Sequence, residues 1–156
     1  MNLQGSYTYK ADQETVWNLL MDPDAIAKAI PGVQEMEPLP DETDAWHANA
    51  RIQVASIGGT YGGTIRITEK EPPNQYRLTV GGEGQQSIIN GSAFIRLEYN
   101  EDTQETEVIW DGEANVAGKL AGVGQRLIAA TANMLSKRFF KALADQLPHN
   151  GADAAG

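Results

Sequence analysis

A chain of 156 residues with 41% hydrophobic content has the size of one domain and can bury a core without staples. It has no cysteine, which excludes disulfides, thiolate metal sites and cysteine nucleophiles. A formal net charge of -9 argues against nucleic-acid binding, which needs basic side chains to displace phosphate counterions, and with neither a basic-then-apolar leader nor an apolar run near about 18 residues the expected location is cytoplasmic.

The first element is expected at LQGSYTY, where Leu3, Gly5, Tyr7 and Tyr9 alternate with polar neighbours at the period of a half-buried strand. Asp12 reads as the N-cap of a short helix carrying Trp17, Leu20 and Met21. Asp22 and Pro23 repeat the signal, a capping aspartate with proline at the first helical position, and open a second short helix to Ile30 that Pro31-Gly32 ends. Six alternating runs follow: Val33 to Leu39, Ala45 to Val54, Thr60 to Lys70, Gln75 to Val80, Ser87 to Tyr99 and Glu107 to Val116. Proline, glycine, asparagine and aspartate mark the breaks. GKLAGVGQRLIAATANMLSKRFF, from Gly118, then begins a long helix to about Leu147. One domain is expected over residues 1–147, with 148–156 as a loose tail.

This order predicts an α+β domain: a curved seven-stranded antiparallel sheet, two short helices after the first strand, and a long C-terminal helix across the sheet. Continuous helical periodicity places Leu120, Gly124, Leu127, Thr131, Leu135, Phe139 and Ala142 on the face toward the sheet. The apolar strand faces are interrupted by small residues, Ala48, Ala50, Gly63, Gly91, Ala93, Gly112 and Ala114. At crystal-like packing density these leave either a close helix-sheet contact or a cavity, and a strongly curved sheet cannot touch a straight helix along its whole length. The expected cavity is lined by Trp46, Ala48, Ala50, Tyr61, Ile65, Leu78, Ala93, Trp110, Ala114, Gly124, Leu127 and Thr131. Hairpin reversal places IPG, ASIGGTYGGT, GGEGQQ and VAGKLAG at one end, a glycine-rich portal, and the acidic PLPDETD, EKEPPN and YNEDTQETE at the other.

Catalytic parts are scarce. His47 falls on a polar strand face and His149 in the tail, with no nucleophile elbow, metal-ligand spacing or phosphate loop. The inward tyrosines and tryptophans read first as core, while their polar handles suit the orientation of a carbonyl or quinone-like ring. Between Lys119 and Lys141 lie five of the twelve basic residues and no acidic one. Lys119, Arg126 and Lys137, with Lys141 at the edge, form a stripe that suits an anionic membrane or protein partner. A solvated helix face is the plain alternative.

The segments GSYTYKADQETVWNLLMDPDAIAKAIPGVQEME, EPPNQYRLTVGGEG, NGSAFIRLEY and GKLAGVGQRLIAATANMLSKRFF together resemble the carbon monoxide dehydrogenase G-subunit family. This is a branch of the helix-grip superfamily that includes START lipid-transfer domains and the birch-pollen allergen. The resemblance implies a helix-grip fold with a hydrophobic cavity. It also implies an accessory protein that helps link a molybdenum-containing hydroxylase to the inner face of the cytoplasmic membrane, where quinone accepts electrons. With the expected cavity, the leading reading is a non-catalytic carrier of a quinone or other lipid with no covalently bound cofactor. Many members carry a longer, sometimes hydrophobic C-terminal extension; this sequence ends without one, so the expected membrane contact is peripheral. The alternatives are an interaction or assembly module with no ligand and, third, a hydrolase or cyclase.

Overall fold

The computed structural model of the chain describes residues 1–54 and 57–148, so His149, most of the expected tail and part of the ASIGGTYGGT loop lie outside the described residues. The elements run β1 (Asn2–Tyr9), α1 (Gln13–Leu20), α2 (Pro23–Ala29), β2 (Val33–Pro38), β3 (Ala45–Ile52), β4 (Gly59–Glu71), β5 (Gln75–Gly84), β6 (Ser87–Asn100), β7 (Glu105–Gly118), a short 3-10 helix (Lys119–Val123) and α3 (Gln125–Ala144). The seven strands form one sheet in the order β1-β7-β6-β5-β4-β3-β2, each antiparallel to its neighbours. This is the expected α+β architecture.

Both short helices start where the sequence placed them. Asp12 is the N-cap of α1, its Oδ1 accepting from the Thr15 amide at 2.8 Å. Asp22 caps α2 by accepting from the Asp24 amide at 2.9 Å, with Pro23 in the first turn, where its missing N–H costs nothing. The buried faces, Val16, Trp17 and Leu20 on α1 and Ala25, Ile26 and Ala29 on α2, close the acidic-loop half of the sheet into one core with Tyr76, Ile95, Leu97 and Val108.

Two boundaries differ from the sequence reading by four residues or more. Strand β5 continues through the glycine run to Gly84, because GGEG keeps its ladder on both sides, to β4 and to β6. The long helix does not begin at Gly118. Residues Lys119–Val123 form a 3-10 helix between Gly118 (φ 90°) and Gly124 (φ 109°), and α3 starts at Gln125. Backbone angles of that kind are accessible to glycine and strained for other residues, so these two glycines turn the chain from β7 into α3. The turn is held by Ser87, whose Oγ accepts from the Leu120 amide at 2.7 Å, and by the Lys119 amide donating to the Gln86 carbonyl at 3.0 Å.

The main anchorage of α3 is at its C-terminal half. The Tyr9 hydroxyl donates to the Phe140 carbonyl at 2.6 Å, Gln146 Nε2 donates to the Ala25 carbonyl at 2.9 Å, and Phe140 and Leu143 are buried. The helix leans against β1 and α2, at one side of the sheet.

Candidate functional site

Residues directly opposite in an antiparallel ladder point to the same face, so the register defines rows of side chains across the sheet. From the acidic-loop end toward the glycine-rich end, the rows facing α3 are Leu97, Val108 and Tyr7; Tyr76, Ile95, Trp110 and Gly5; Ile67, Leu78, Ala93, Gly112 and Leu3; Trp46, Ile65, Val80, Gly91 and Ala114; and Ala48, Gly63, Gly82, Ile89 and Val116. Apart from Tyr7 and Gly5 on β1, the first two rows are buried. Phe140 stacks on Trp110 with centroids 4.2 Å apart and planes at 14°, and Trp17 meets Tyr76 edge-on at 5.5 Å.

Toward the glycine-rich end the burial fades. Leu3, Leu78, Ala93, Ile89, Val116 and Ala48 are half-buried, and Val80, central in the sheet and on this inner face, is 41% exposed. On the helix, Leu127 is 45% exposed. A central-strand valine on the face toward a helix reaches water only if the helix stands off from it. Trp46, Ile65, Ile67 and Ala114 in the same rows are buried, so, with the Trp110–Phe140 stack filling the far end, we read the opening marked by Val80 and Leu127 as an apolar groove at the glycine-rich end. All four glycine-rich connections do meet at that end, through the pairs Val33–Ala50, Ile52–Gly59, Gly84–Ser87 and Ser87–Gly118.

The twelve residues read from sequence as a lining divide three ways. Trp46, Tyr61, Ile65, Trp110, Ala114 and Thr131 are buried, and Ala48, Ala50, Leu78 and Ala93 are half-buried, all ten on the inner side of the sheet or helix. Gly124 and Leu127 are exposed. Gly124 belongs to the turn before α3 and does not face the sheet. The helical wheel ran unbroken through a segment that is 3-10 and then reset at Gly124, so its phase is off by about one residue: Ile128, Thr131, Phe140 and Leu143 are the buried positions. Val80, which the alternation of β5 already put on the inner face, and Ile128 and Phe140 were missing from the expected lining. For Phe140 the signal was present in the Phe139-Phe140 pair, and only the phase chose wrongly.

The small residues also have two roles. A Cβ built on Gly63 would fall 1.9 Å from the Gly81 carbonyl oxygen, and one on Gly112 would fall 2.3 Å from the Ser92 oxygen, so both allow close strand approach in a coiled sheet. At Gly91 and Gly82 the nearest atoms are 3.6 Å away, which is ordinary contact and leaves the inner face shallow.

The polar handles in this region are mostly used internally. Tyr61 donates to the Ile57 carbonyl at 2.6 Å, Tyr9 to Phe140 as above, and Thr131 Oγ1 to the Leu127 carbonyl at 2.9 Å. Burial pushes the Tyr9, Tyr76 and Tyr61 hydroxyls above the ordinary phenol range. Trp110 Nε1 is buried and meets no acceptor among the described residues.

Elsewhere, His47 is exposed on the outer face opposite Thr64, and among the described residues no three of His, Cys, Asp and Glu gather as a metal site would need. Lys119, Arg126, Lys137, Arg138 and Lys141 are all exposed, with Lys141 paired to Asp145 at 2.8 Å. An open depression of about 500 Å³ lies beside the β5-β6 hairpin, lined by Glu83, Gly84, Gln86, Ser87, Ile88, Ala117 and Gly118, with Ile88 49% exposed. A second, of about 340 Å³, is lined by residues that include Gln4, Arg77, Ser92, Asp111 and Glu113. Among the described residues no helix is long and apolar enough to cross a membrane.

Residues 5–148 match the family described as CoxG, the G subunit of carbon monoxide dehydrogenase. Among solved structures, a conserved protein of Geobacillus kaustophilus is 32% identical with a TM-score of 0.88, over 96% of this chain and 97% of that one. A Thermus thermophilus protein (11% identity, TM-score 0.67, 93% and 95% covered) and one from Chromobacterium violaceum (15%, 0.62, 93% and 96%) share the fold. No curated protein matches the chain.

Proposed function

The chain belongs to the CoxG family of carbon monoxide dehydrogenase, and from that membership we propose that it is a non-catalytic accessory protein that carries or presents an apolar, ring-bearing ligand, a quinone or a related lipid, beside a molybdenum-hydroxylase-type oxidoreductase at the membrane. The observation that carries the proposal is the water-exposed apolar groove marked by Val80 and Leu127. A folded chain gains from closing such a surface over a ligand. About 300 Å² of ligand surface buried at about 25 cal/mol/Å² amounts to about 7 kcal/mol gross, enough for reversible binding once association costs are subtracted.

The internal use of the tyrosine hydroxyls fits carriage better than chemistry. Membrane proximity has support from the exposed basic residues of α3 and its 3-10 turn, which adjoin the exposed Leu127. At about 1 kcal/mol per basic residue near an anionic bilayer, these give weak, salt-sensitive attachment.

The test is fluorescence titration of the protein with a prenylated naphthoquinone, read through tryptophan quenching. Ala93→Phe and Ala114→Phe place a ring in the groove and should abolish quenching while the folded far-UV spectrum is retained. Wild-type affinity in both variants would show that ligand does not occupy the groove. A second reading, a protein-docking module without ligand, is favoured by the open depression around Ile88. It predicts that Ile88→Asp weakens enzyme capture while quinone titrations of the wild type stay flat.

A further inference from the structure

At the glycine-rich end, the chain that crosses from β7 to α3 is pinned by one side chain. On the inner face Ser87 stands one row beyond Ile89 and Val116, between Gly84 and Gly118. It is 5% exposed, and its hydroxyl both donates to the Gln85 carbonyl at 3.1 Å and accepts from the Leu120 amide at 2.7 Å. Leu120 is the buried residue of the Lys119–Val123 turn. The neighbouring tie, from the Lys119 amide to the Gln86 carbonyl at 3.0 Å, ends on the same β5-β6 hairpin turn. That turn holds Gln85 and Gln86 at φ 54° and 58°, angles that glycine or asparagine adopts more easily, so Ser87 braces a strained turn as well as holding the next one.

Beyond Ser87 little holds the segment. Gly118 and Gly124, both at positive φ, bound it, and a Cβ built on Gly122 or Gly124 would meet nothing within 4 Å. Gly124 gives α3 no side-chain cap, so the amides of its first turn lack the partner that a serine or aspartate there would supply. Gln125, Arg126 and Leu127 are exposed, whereas the far half of the helix is tied by the Tyr9 and Gln146 hydrogen bonds. A sparsely packed segment with a hinge glycine at its root and one side-chain tie opens before the sheet does.

We propose that residues 119–127 form a gate on the groove and that Ser87 is its latch. When the Ser87–Leu120 bond breaks, the 3-10 turn and the first turn of α3 swing together about Gly118, and Leu120 leaves the inner face beside the Ile89–Val116 row. The purpose of the gate rests on the ligand-carrier reading, to which it adds regulation: Ser87 sets how fast a ligand passes, not how tightly it is held.

Amide hydrogen exchange of the full chain, read by NMR, compares wild type with Ser87→Ala. The amides of Lys119, Leu120, Gly124 and Ile128, the last donating to the Gly124 carbonyl at 3.1 Å, should exchange together and at least about tenfold faster in the variant. Those of Tyr76, Ile95 and Leu143 should keep their wild-type rates. Acceleration at Leu120 alone would mean one lost hydrogen bond, and acceleration throughout the sheet a general loss of stability; either overturns the gate. Stopped-flow mixing with 2-methyl-1,4-naphthoquinone, which finds no thiol to arylate in this chain, should show association and dissociation faster by a similar factor at nearly unchanged Kd. Weaker affinity at an unchanged association rate would make Ser87 part of the binding surface and refute the latch. If the wild type binds no quinone, the carrier reading fails, and the exchange pattern alone decides whether the gate exists. Should the variant not fold, wild-type exchange decides: one shared opening free energy for Leu120, Gly124 and Ile128, below that of Leu143, supports the gate, and unrelated values refute it.

Discussion

Replacing Val80 with aspartate separates an open groove from a closed core. Val80 sits in the middle of β5 with ladders on both sides, where a carboxylate in a sealed interior would cost about 4–5 kcal/mol or more, enough to unfold many domains of this size. Yet this valine is 41% exposed. Full burial of a valine is worth about 1.5–3 kcal/mol, so about three-fifths of that is at stake, or about 1–2 kcal/mol, and the poor strand propensity of aspartate adds up to about 1 kcal/mol. The expected loss is thus about 1–3 kcal/mol, a drop in melting temperature of about 2–12 °C. Ligand affinity should suffer more, by at least about 100-fold, because an apolar ring would have to strip water from the carboxylate. Urea denaturation followed by tryptophan fluorescence gives the first quantity and quinone titration the second. A loss beyond about 4 kcal/mol would mean that the inner face is sealed, and unchanged ligand affinity would place the ligand elsewhere.

Stability should fall at alkaline pH. Burial raises the folded-state values of Tyr9 and Tyr76 above the unfolded value near 10, so their contribution is complete below about pH 10 and is lost above it, where the unfolded chain releases protons that the folded chain retains. Each contributes a slope of up to about 1.4 kcal/mol per pH unit, and Tyr9→Phe should remove one such increment from denaturation midpoints measured between pH 9 and 11.5. Charge reversal at Arg126 and Lys137 should abolish co-sedimentation with anionic vesicles at low salt and leave behaviour toward neutral vesicles unchanged. Sedimentation indifferent to the reversal would assign those charges to a solvated face or to a protein partner.

The strands and short helices were legible because their signals are local. Asp12 and Asp22-Pro23 cap the same helices in the structure that they mark in the sequence, and the alternation of Tyr76, Leu78 and Val80 gives the correct face of β5. The groove's rim was harder to read. A wheel drawn from Leu120 assumes 100° per residue, and the 3-10 turn with two positive-φ glycines breaks that assumption before the first residue of α3. That is why Leu127 was placed inward and Ile128 was not. The exposure of Val80 has no sequence signature at all, since it depends on α3 leaning toward β1 and α2 and away from the strip beside it. Glycine pattern alone also could not separate Gly63 and Gly112, which relieve crowding between strands, from Gly91, which leaves space.

An open sheet has two borders, and a protein that exposes greasy surface must keep those borders from zipping onto another copy. The β1 border lies under α3. The β2 border is six residues long, irregular in register between Val33 and Glu35, carries exposed Glu35 and Glu37, and ends at Pro38, which has no amide hydrogen to offer. Short length, a kink, like charges and proline are the devices that discourage strand addition. Self-association by sheet extension is disfavoured at both borders, so a partner that docks has to engage side chains or the mouth of the groove.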